Sequence, residues 1–450
     1  MQKRVKILGG GLAGSECALQ LAQRGFSVCL VEMRPVQSTS VHKTADFAEL
    51  VCSNSLKSTN PASAAGMLKQ ELSLLGSYVY QAALDYAVAA GGALAVNRSA
   101  FSQSITRQIL DNPAIEVQRR EARSLKDEAN GFDALVLATG PLTSDALARD
   151  VQSYTKADYL SFYDAAAPIV LSDSLDMSVL FRQSRYEEGL GDYLNAPFTK
   201  EEYEAFASEL LSAEKVILKD FETKDLFQAC QPIEEIARSG FDAPRFGAMK
   251  PVGLIDPRTG KRPWAVVQLR AEDAYAQSYN LVGFQTNLTF PEQKRVFRMI
   301  PGLENAEFAR YGVMHRNTFI DAPRMLDASL QLMCVHDSLP LPVFVAGQLG
   351  GTEGYAEAIR SGLHVALSVA MCLQGIEYVP VPVHTVFGAL LAYATSSDTI
   401  DYQPSHVNFG ILEPLEVHIR NKKQRYEAYA QRGCEALALY AQALQTHGLM

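Results

Sequence analysis

Two cysteines stand apart from the rest by their settings. Cys52 lies in FAELVCSNSLK (residues 47–57), where Ser53, Asn54 and Ser55 favour turns over regular structure. Cys230 precedes Gln231-Pro232, and Pro232 suits the first position of a helix carrying Ile233, Ile236 and Ala237 and stopped by Gly240. A thiol just ahead of a helix N-terminus has its thiolate favoured, and the thiolate is the nucleophilic form. Glu234 and Glu235 in the same turn oppose that charge. The bland alternative makes both ordinary small residues, which is the simplest reading of Cys17, Cys29, Cys334 and Cys372 on their apolar helices or strands. Cys434 has no evident role. Seven cysteines, an odd number with no C-x-x-C pair, suit a reducing compartment rather than a disulfide framework. The eight histidines are scattered, so no metal site is expected.

A second set of residues addresses phosphate. Val5–Glu32 places Gly9, Gly11 and Gly14 in the spacing G-x-G-x-x-G between an apolar run and a helical segment from Leu12 to Arg24. Gly25 ends that helix, and Phe26 to Val31 reads as a second strand closing on Glu32. The three glycines do different things. Gly9 permits the turn, Gly11 lets backbone approach a pyrophosphate, and Gly14 lets the helix lie near the strand. The helix N-terminus offers N–H groups and partial positive charge, and Glu32 can accept from ribose hydroxyls. The alternative is a merely glycine-rich turn, but both flanking strands and the acid are in place. Candidate contacts to the nucleotide are Gly9, Gly10, Gly11, Leu12, Ala13, Gly14, Glu32, Met33 and Arg34. The buried run FDALVLA (residues 132–138) leads into Thr139-Gly140, a second approach of backbone to the same ligand. PVFVA (residues 342–346) leads into a late glycine-rich junction that adds Gly347, Gln348, Glu353, Gly354 and Tyr355. NAD enzymes usually need only the first of these three segments. A late glycine junction is the pattern of flavoproteins, so FAD is preferred as the tightly held cofactor.

These elements imply the architecture. The fold class is α/β: a Rossmann-like FAD-binding domain built from both chain ends (1–155 and 322–450), with an inserted α+β domain (156–321). The chain of 450 residues is long enough for about two domains. The middle is richer in Tyr, Phe, Pro and charge and lacks strand–helix alternation, with a polar helix over residues 200–211. No run approaches the roughly 18 apolar residues of a membrane helix, and no apolar signal core precedes the first strand, so the expected location is cytoplasmic. A net charge of −9 disfavours a protein coated in nucleic acid, yet leaves room for RNA at local patches. Basic clusters occur at Lys294, Arg295 and Arg298, at His315-Arg316, and at Arg420, Lys422, Lys423 and Arg425. Their plain reading is a solvated helix face.

At the motif level the chain resembles the folate- and flavin-dependent tRNA (uracil-5-)-methyltransferases. The resemblance is carried in order by GGGLAGSE, EMRP, FAELVCSNSLK, GGALAVNR, LATGPLTS, FYDAAAPIV, DYLNAPF, PIEEIARSG, KPVGLIDPRTG, LVGFQTNL, EQKRVFRMIPGLE, RYGVMHRNT and VNFGILEPL. It implies that methylenetetrahydrofolate supplies a carbon, through the flavin N5, to C5 of the T-loop uridine of tRNA, with NAD(P)H as reductant. By the same resemblance Cys230 is the nucleophile and Cys52 the acid/base group, roles the two can exchange. Gln285, Asn287 and Arg316 become candidates for substrate binding, with Lys294 and Arg295 for the RNA backbone. Three places depart from the family pattern: Thr289 stands for a lysine, Ser405-His406 for a methionine–asparagine pair, and LGGTEGYAEAIRSG leans toward the larger relative that modifies the wobble uridine. The rival readings are the same chemistry on rRNA, and a flavin NAD(P)H oxidoreductase or RNA-binding homologue that does not methylate.

Overall fold

Short runs of Val, Ile, Leu and Ala, apolar on both faces, become the strands of a parallel sheet, because only helices packed on both sides can cover them. These are β1 (Arg4–Leu8), β2 (Ser27–Glu32), β6 (Ile115–Arg119), β7 (Ala134–Leu137) and β16 (Val343–Val345), in the order β16-β7-β1-β2-β6. Every pairing is parallel, with Val5 opposite Val28 and Ala134, and Val343 opposite Leu135. The molecule is represented by a computed structural model. It describes residues 2–39, 41–155, 160–165, 167–185, 191–216, 231–271, 276–312, 314–333, 339–397, 402 and 404–450, with backbone alone at 155, 160–165 and 314–318.

The helix Leu12–Gln23 lies against the late helix Tyr355–Gln374, and the two touch at their backbones. A Cβ on Gly362 would stand 2.2 Å from the Ala13 carbonyl oxygen, so the crossing requires glycine. Tyr355–Gln374 has the length and mean hydropathy of a membrane-crossing helix, but it carries Glu357, Arg360 and His364 and is mostly buried in this core. One hydrophobic core joins Val5 through Val151 to Phe319 through Leu449. A smaller three-stranded sheet of β3 (Ser55–Ser58), β4 (Ala87–Val88) and β5 (Ala93–Val96) sits beside it, in the order β3-β5-β4.

The middle of the chain has its own core, from Val170 to Ala306. Its strands are β9 (Ile169–Leu171), β10 (Phe181–Arg182), β11 (Leu194–Phe198), β12 (Ala265–Ala271), β13 (Ser278–Leu281) and β14 (Phe308–Arg310). They form an antiparallel, six-stranded sheet in the order β10-β11-β12-β13-β9-β14. The helices Lys200–Ser212 and Phe290–Phe297 each bury one face in this core. A capping box at Thr199 and Glu202 fixes the start of the first. The chain enters and leaves the middle along one antiparallel ribbon, β8 (Leu160–Ala165) with β15 (Met314–Phe319).

Candidate active site

β1 ends at Leu8 and the helix starts at Leu12, so glycines make the whole connection. Gly9 has φ +99, and a Cβ there would stand 2.4 Å from the Ala138 carbonyl oxygen. At Gly14 a Cβ would meet the Gly9 oxygen at 1.9 Å, so the helix seats against the turn only without a side chain. A Cβ on Gly10 would strike the Phe47 ring at 2.3 Å. Gly11 is the opposite case, with nothing within 4 Å of its absent Cβ.

A cavity of about 460 Å³ opens over this turn. Gly9, Gly11, Leu12, Ala13, Glu32, Met33, Arg34, Thr139, Gly140, Gly347, Gln348, Glu353, Gly354 and Tyr355 line it, together with Cys52 and Gln285. Gly10 and Gly14 lie behind the turn, where they shape it without reaching the cavity. The N–H groups of the first helical turn have no acceptor within the helix and carry its positive end. Gly140 has φ +66 and is likewise open on its Cβ side. Its carbonyl accepts from the Thr143 hydroxyl, which also pairs with Thr139 at 2.6 Å. An open Gly11, a bare helix N-terminus and an acid at the end of β2 fit the ADP half of FAD.

Glu32 is more constrained than a simple ribose acceptor. One carboxylate oxygen accepts the Gly10 N–H at 2.8 Å, and the other accepts the Arg34 N–H and Nε at 3.0 Å each. Burial alone raises its pKa, but the Arg34 charge and these bonds outweigh it and hold the group ionised below its ordinary range. Arg34 donates also to Glu49 and to the Thr44 carbonyl. On the far side, Gln348 donates to Glu353, and the Gly347 N–H donates to Ser361 at 2.9 Å.

Cys52 sits half-buried in an irregular loop at the cavity wall. The Tyr355 phenol oxygen accepts the N–H groups of Cys52 (2.8 Å) and Ser53 (3.1 Å). Burial, and then the neighbouring Cys52, push the Tyr355 pKa up, so the phenol stays protonated. Arg310 donates to the carbonyls of Val51 (2.7 Å) and Cys52 (3.0 Å), and Arg98 donates to that of Leu50 (3.0 Å). Arg270, itself part of the wall, donates to Asn54 Oδ1 (2.8 Å) and Ser53 Oγ (2.9 Å).

Cys230 lies outside the described residues, as does Cys334. The helix after Cys230 is Ile233–Ser239, with Pro232 as its cap and Gly240 at its end. Its first N–H, from Ile233, donates to the Gln285 carbonyl at 2.7 Å, next to the cavity. The two acids that opposed a thiolate are both muted. Burial raises the Glu234 pKa and favours its neutral form, although the Asn287 N–H and Thr286 hydroxyl bond to it. Glu235 pairs with Lys215.

Other candidates are not gathered here. Asn287 is turned away from the cavity, its N–H held by Glu234 and its side chain donating to the Val216 carbonyl at 3.3 Å. Lys294 and Arg295 lie on the exposed face of the helix Phe290–Phe297, and Arg295 is engaged by Glu209 and Glu292. Arg316 falls in β15, and its side chain is outside the described part. Among the described residues no cluster of three His, Cys, Asp or Glu could hold a metal. Cys372, expected as a small core residue, is exposed at the end of its helix. The wall also contains Lys57, Arg270, Glu357 and His406, none singled out as site residues. For Arg270 a signal existed, a charge near the end of the mostly apolar run AVVQLRA.

The model of the family described as glucose inhibited division protein A matches residues 4–377. The methylenetetrahydrofolate–tRNA-(uracil-5-)-methyltransferase TrmFO of Heliobacterium modesticaldum is 49 % identical over 433 residues, covering 96 % of this chain and 97 % of that protein. The protein of the same name from Bacillus pumilus is 47 % identical over 444 residues, covering 99 % and 100 %. Among solved structures, GidA of Aquifex aeolicus in its form I crystal superposes with a TM-score of 0.70 at 15 % identity, over 99 % of this chain and 79 % of that one. At that identity the likeness speaks for the fold. With near-complete coverage at almost half identity, the chain belongs to the glucose inhibited division protein A family, and within it to the methylenetetrahydrofolate–tRNA-(uracil-5-)-methyltransferases.

Proposed function

We propose that this protein forms 5-methyluridine in the T-loop of tRNA, with methylenetetrahydrofolate as carbon donor and NAD(P)H as reductant. The observation that carries the reading is that Cys52 lines the same cavity as the Gly11 and Gly140 cradle, in a chain whose relatives are named for this reaction. FAD, when bound, supplies both carbon transfer and electrons at its N5. The protein supplies the rest. Uracil C5 is not nucleophilic until a nucleophile adds to C6, which is the role assigned to the Cys230 thiolate. Once the one-carbon unit is bonded to C5, the C5 proton has to leave before the C6 thiolate is released, and Cys52 at the cavity wall is assigned to take it. The target base has to be splayed out of its loop to enter the cavity. Gln285, which lines the cavity, and Arg316 are assigned to substrate, and Lys294 and Arg295 to the RNA backbone.

The two hydrophobic cores support a division into a nucleotide-binding domain (1–155 and 322–450) and an inserted domain (156–321). The reading places the protein in the cytoplasm with its RNA and co-substrates. The test incubates purified enzyme, methylenetetrahydrofolate and NAD(P)H with tRNA lacking the T-loop methyl group, and measures 5-methyluridine by mass spectrometry. Product in tRNA and none after Cys230→Ala is expected. Product only in rRNA would move the reaction to another acceptor, and folate-independent NAD(P)H oxidation with no RNA product would overturn the methyl-transfer reading.

A further inference from the structure

Asn54 ties into the small sheet through its carbonyl, which accepts the Val96 N–H at 2.9 Å, but Leu50 to Ser53 lie outside helix and sheet, so the partners of that stretch have to come from elsewhere. They come from both halves of the molecule. On the nucleotide side, Tyr355 begins the long helix and its phenol oxygen accepts the N–H groups of Cys52 and Ser53. On the other side stand two arginines of the middle sheet. Arg310 ends β14 and bridges the carbonyls of Val51 and Cys52, at 2.7 and 3.0 Å. Arg270, in β12 and only 6 % exposed, bridges the side chains of Ser53 and Asn54. Asn54 returns the contact by donating to the Ala271 carbonyl at 3.0 Å.

We propose that Arg310 and Arg270 are positioning residues that hold the Cys52 loop against the cavity, so that docking of the middle sheet sets where the Cys52 thiol stands. The proposal rests on the reading that Cys52 serves in the reaction. Two features argue for a dedicated device. The register of β14 on β9 shifts between Phe308 and Arg310, an irregularity that re-aims the side chain at the strand end. Both residues use the planar guanidinium fork, whose paired donors fix the orientation of two acceptors at once; an ammonium holds them less rigidly. The backbone of Cys52 is thus held at its N–H from one domain and at its C=O from the other.

The experiment uses the FAD-loaded enzyme with Arg310→Met, Arg310→Lys, Arg270→Met and, as a control on the reading beneath it, Cys52→Ser. Flavin content, KM for unmodified tRNA, kcat, and hydrogen exchange of the peptide spanning residues 50–55 are measured. For Arg310→Met the expectation is retained flavin, an unchanged KM, kcat lower by about 100-fold, and loop exchange faster by about tenfold. Arg310→Lys recovers part of kcat, because one ammonium still reaches a carbonyl. Arg270→Met loosens the same peptide and leaves the parallel sheet as protected as in the wild type. Unchanged loop exchange, or wild-type kcat, in Arg310→Met overturns the proposal. Faster exchange throughout both cores, with flavin lost in all three arginine variants, also overturns it and makes these residues simple struts. Full activity of Cys52→Ser would instead remove the role of the thiol, while the exchange result still decides whether the arginines hold the loop.

Discussion

At Gly11 and Gly14 the same small residue answers opposite demands, and substitution separates them. Gly14→Ala drives a methyl group to 1.9 Å from the Gly9 carbonyl, backbone against backbone, and costs the flavin-free protein about 2–3 kcal/mol. Gly11→Ala meets no protein atom within 4 Å, so the flavin-free melting temperature stays put while FAD binds about tenfold more weakly. Thermal melts and a flavin titration of the two variants check both. Glu32 adds a pH signature. Its folded pKa lies below the ordinary 4.5, so its stabilising interactions are complete above that value and are lost as pH falls through the folded pKa. The stability gap between wild type and Glu32→Gln, followed by denaturant titration, is therefore expected to be constant near neutrality and to close on the acid side.

The helix Tyr355–Gln374 carries more than the cavity wall. Inside it Arg360, fully buried, pairs with Glu71 at 3.2 Å and ties this helix to Ala64–Leu74. One turn on, the His364 Nε2 donates to the Ala328 carbonyl at 3.0 Å. Burial, and then the Arg360 charge, push the His364 pKa down to about 3, so the ring is neutral in the fold. Between pH 6.5 and 3 the unfolded chain binds the extra proton, so stability drops as pH falls through that window. From pH 6.5 to 5 the loss is about 2 kcal/mol. His364→Gln flattens that slope, which unfolding curves at the two pH values will read.

The same scale shows what a single sequence discloses. The glycine turn, the helix behind it and strands β1, β2, β7 and β16 were legible because each is signalled by neighbours in the chain: a short apolar run leading into Gly and a helical period or, for β2, following them at Gly25. Strands β11 and β12 were not, since LNAPF and AVVQLRA show no strict alternation and are buried along nearly their whole length. The grip of Arg270 and Arg310 on the Cys52 loop spans more than 200 positions, and nothing local marks such a pair. Asn287 misled for the converse reason. A polar residue two positions from Gln285 turns its side chain inward to donate to the Val216 carbonyl, while its backbone N–H bonds Glu234.

At the scale of the molecule, two cores meet at the paired ribbon of β8 and β15 and at the Cys52 loop. FAD contacts, by the residues fitted to it, fall chiefly on the core made from the two chain ends. Calorimetry is expected to resolve two transitions, with saturating FAD raising one of them by the equivalent of about 3–4 kcal/mol and leaving the other in place. A single transition shifted as a whole would mean that the cores unfold together.

The late strand β16 has a consequence for how the chain is made. It adds to β7, yet it leaves the ribosome roughly 200 residues after it. At about 5–20 residues per second, the interval is about 10–40 seconds. For that time β7 is an unpaired sheet edge, and the helix Leu12–Gln23 lacks the partner whose Gly362 seats against it. The nascent nucleotide site thus stays open until the middle of the chain has been synthesised, and a chaperone that covers apolar strand edges is expected to raise the yield of flavin-loaded protein more than the yield of the middle core.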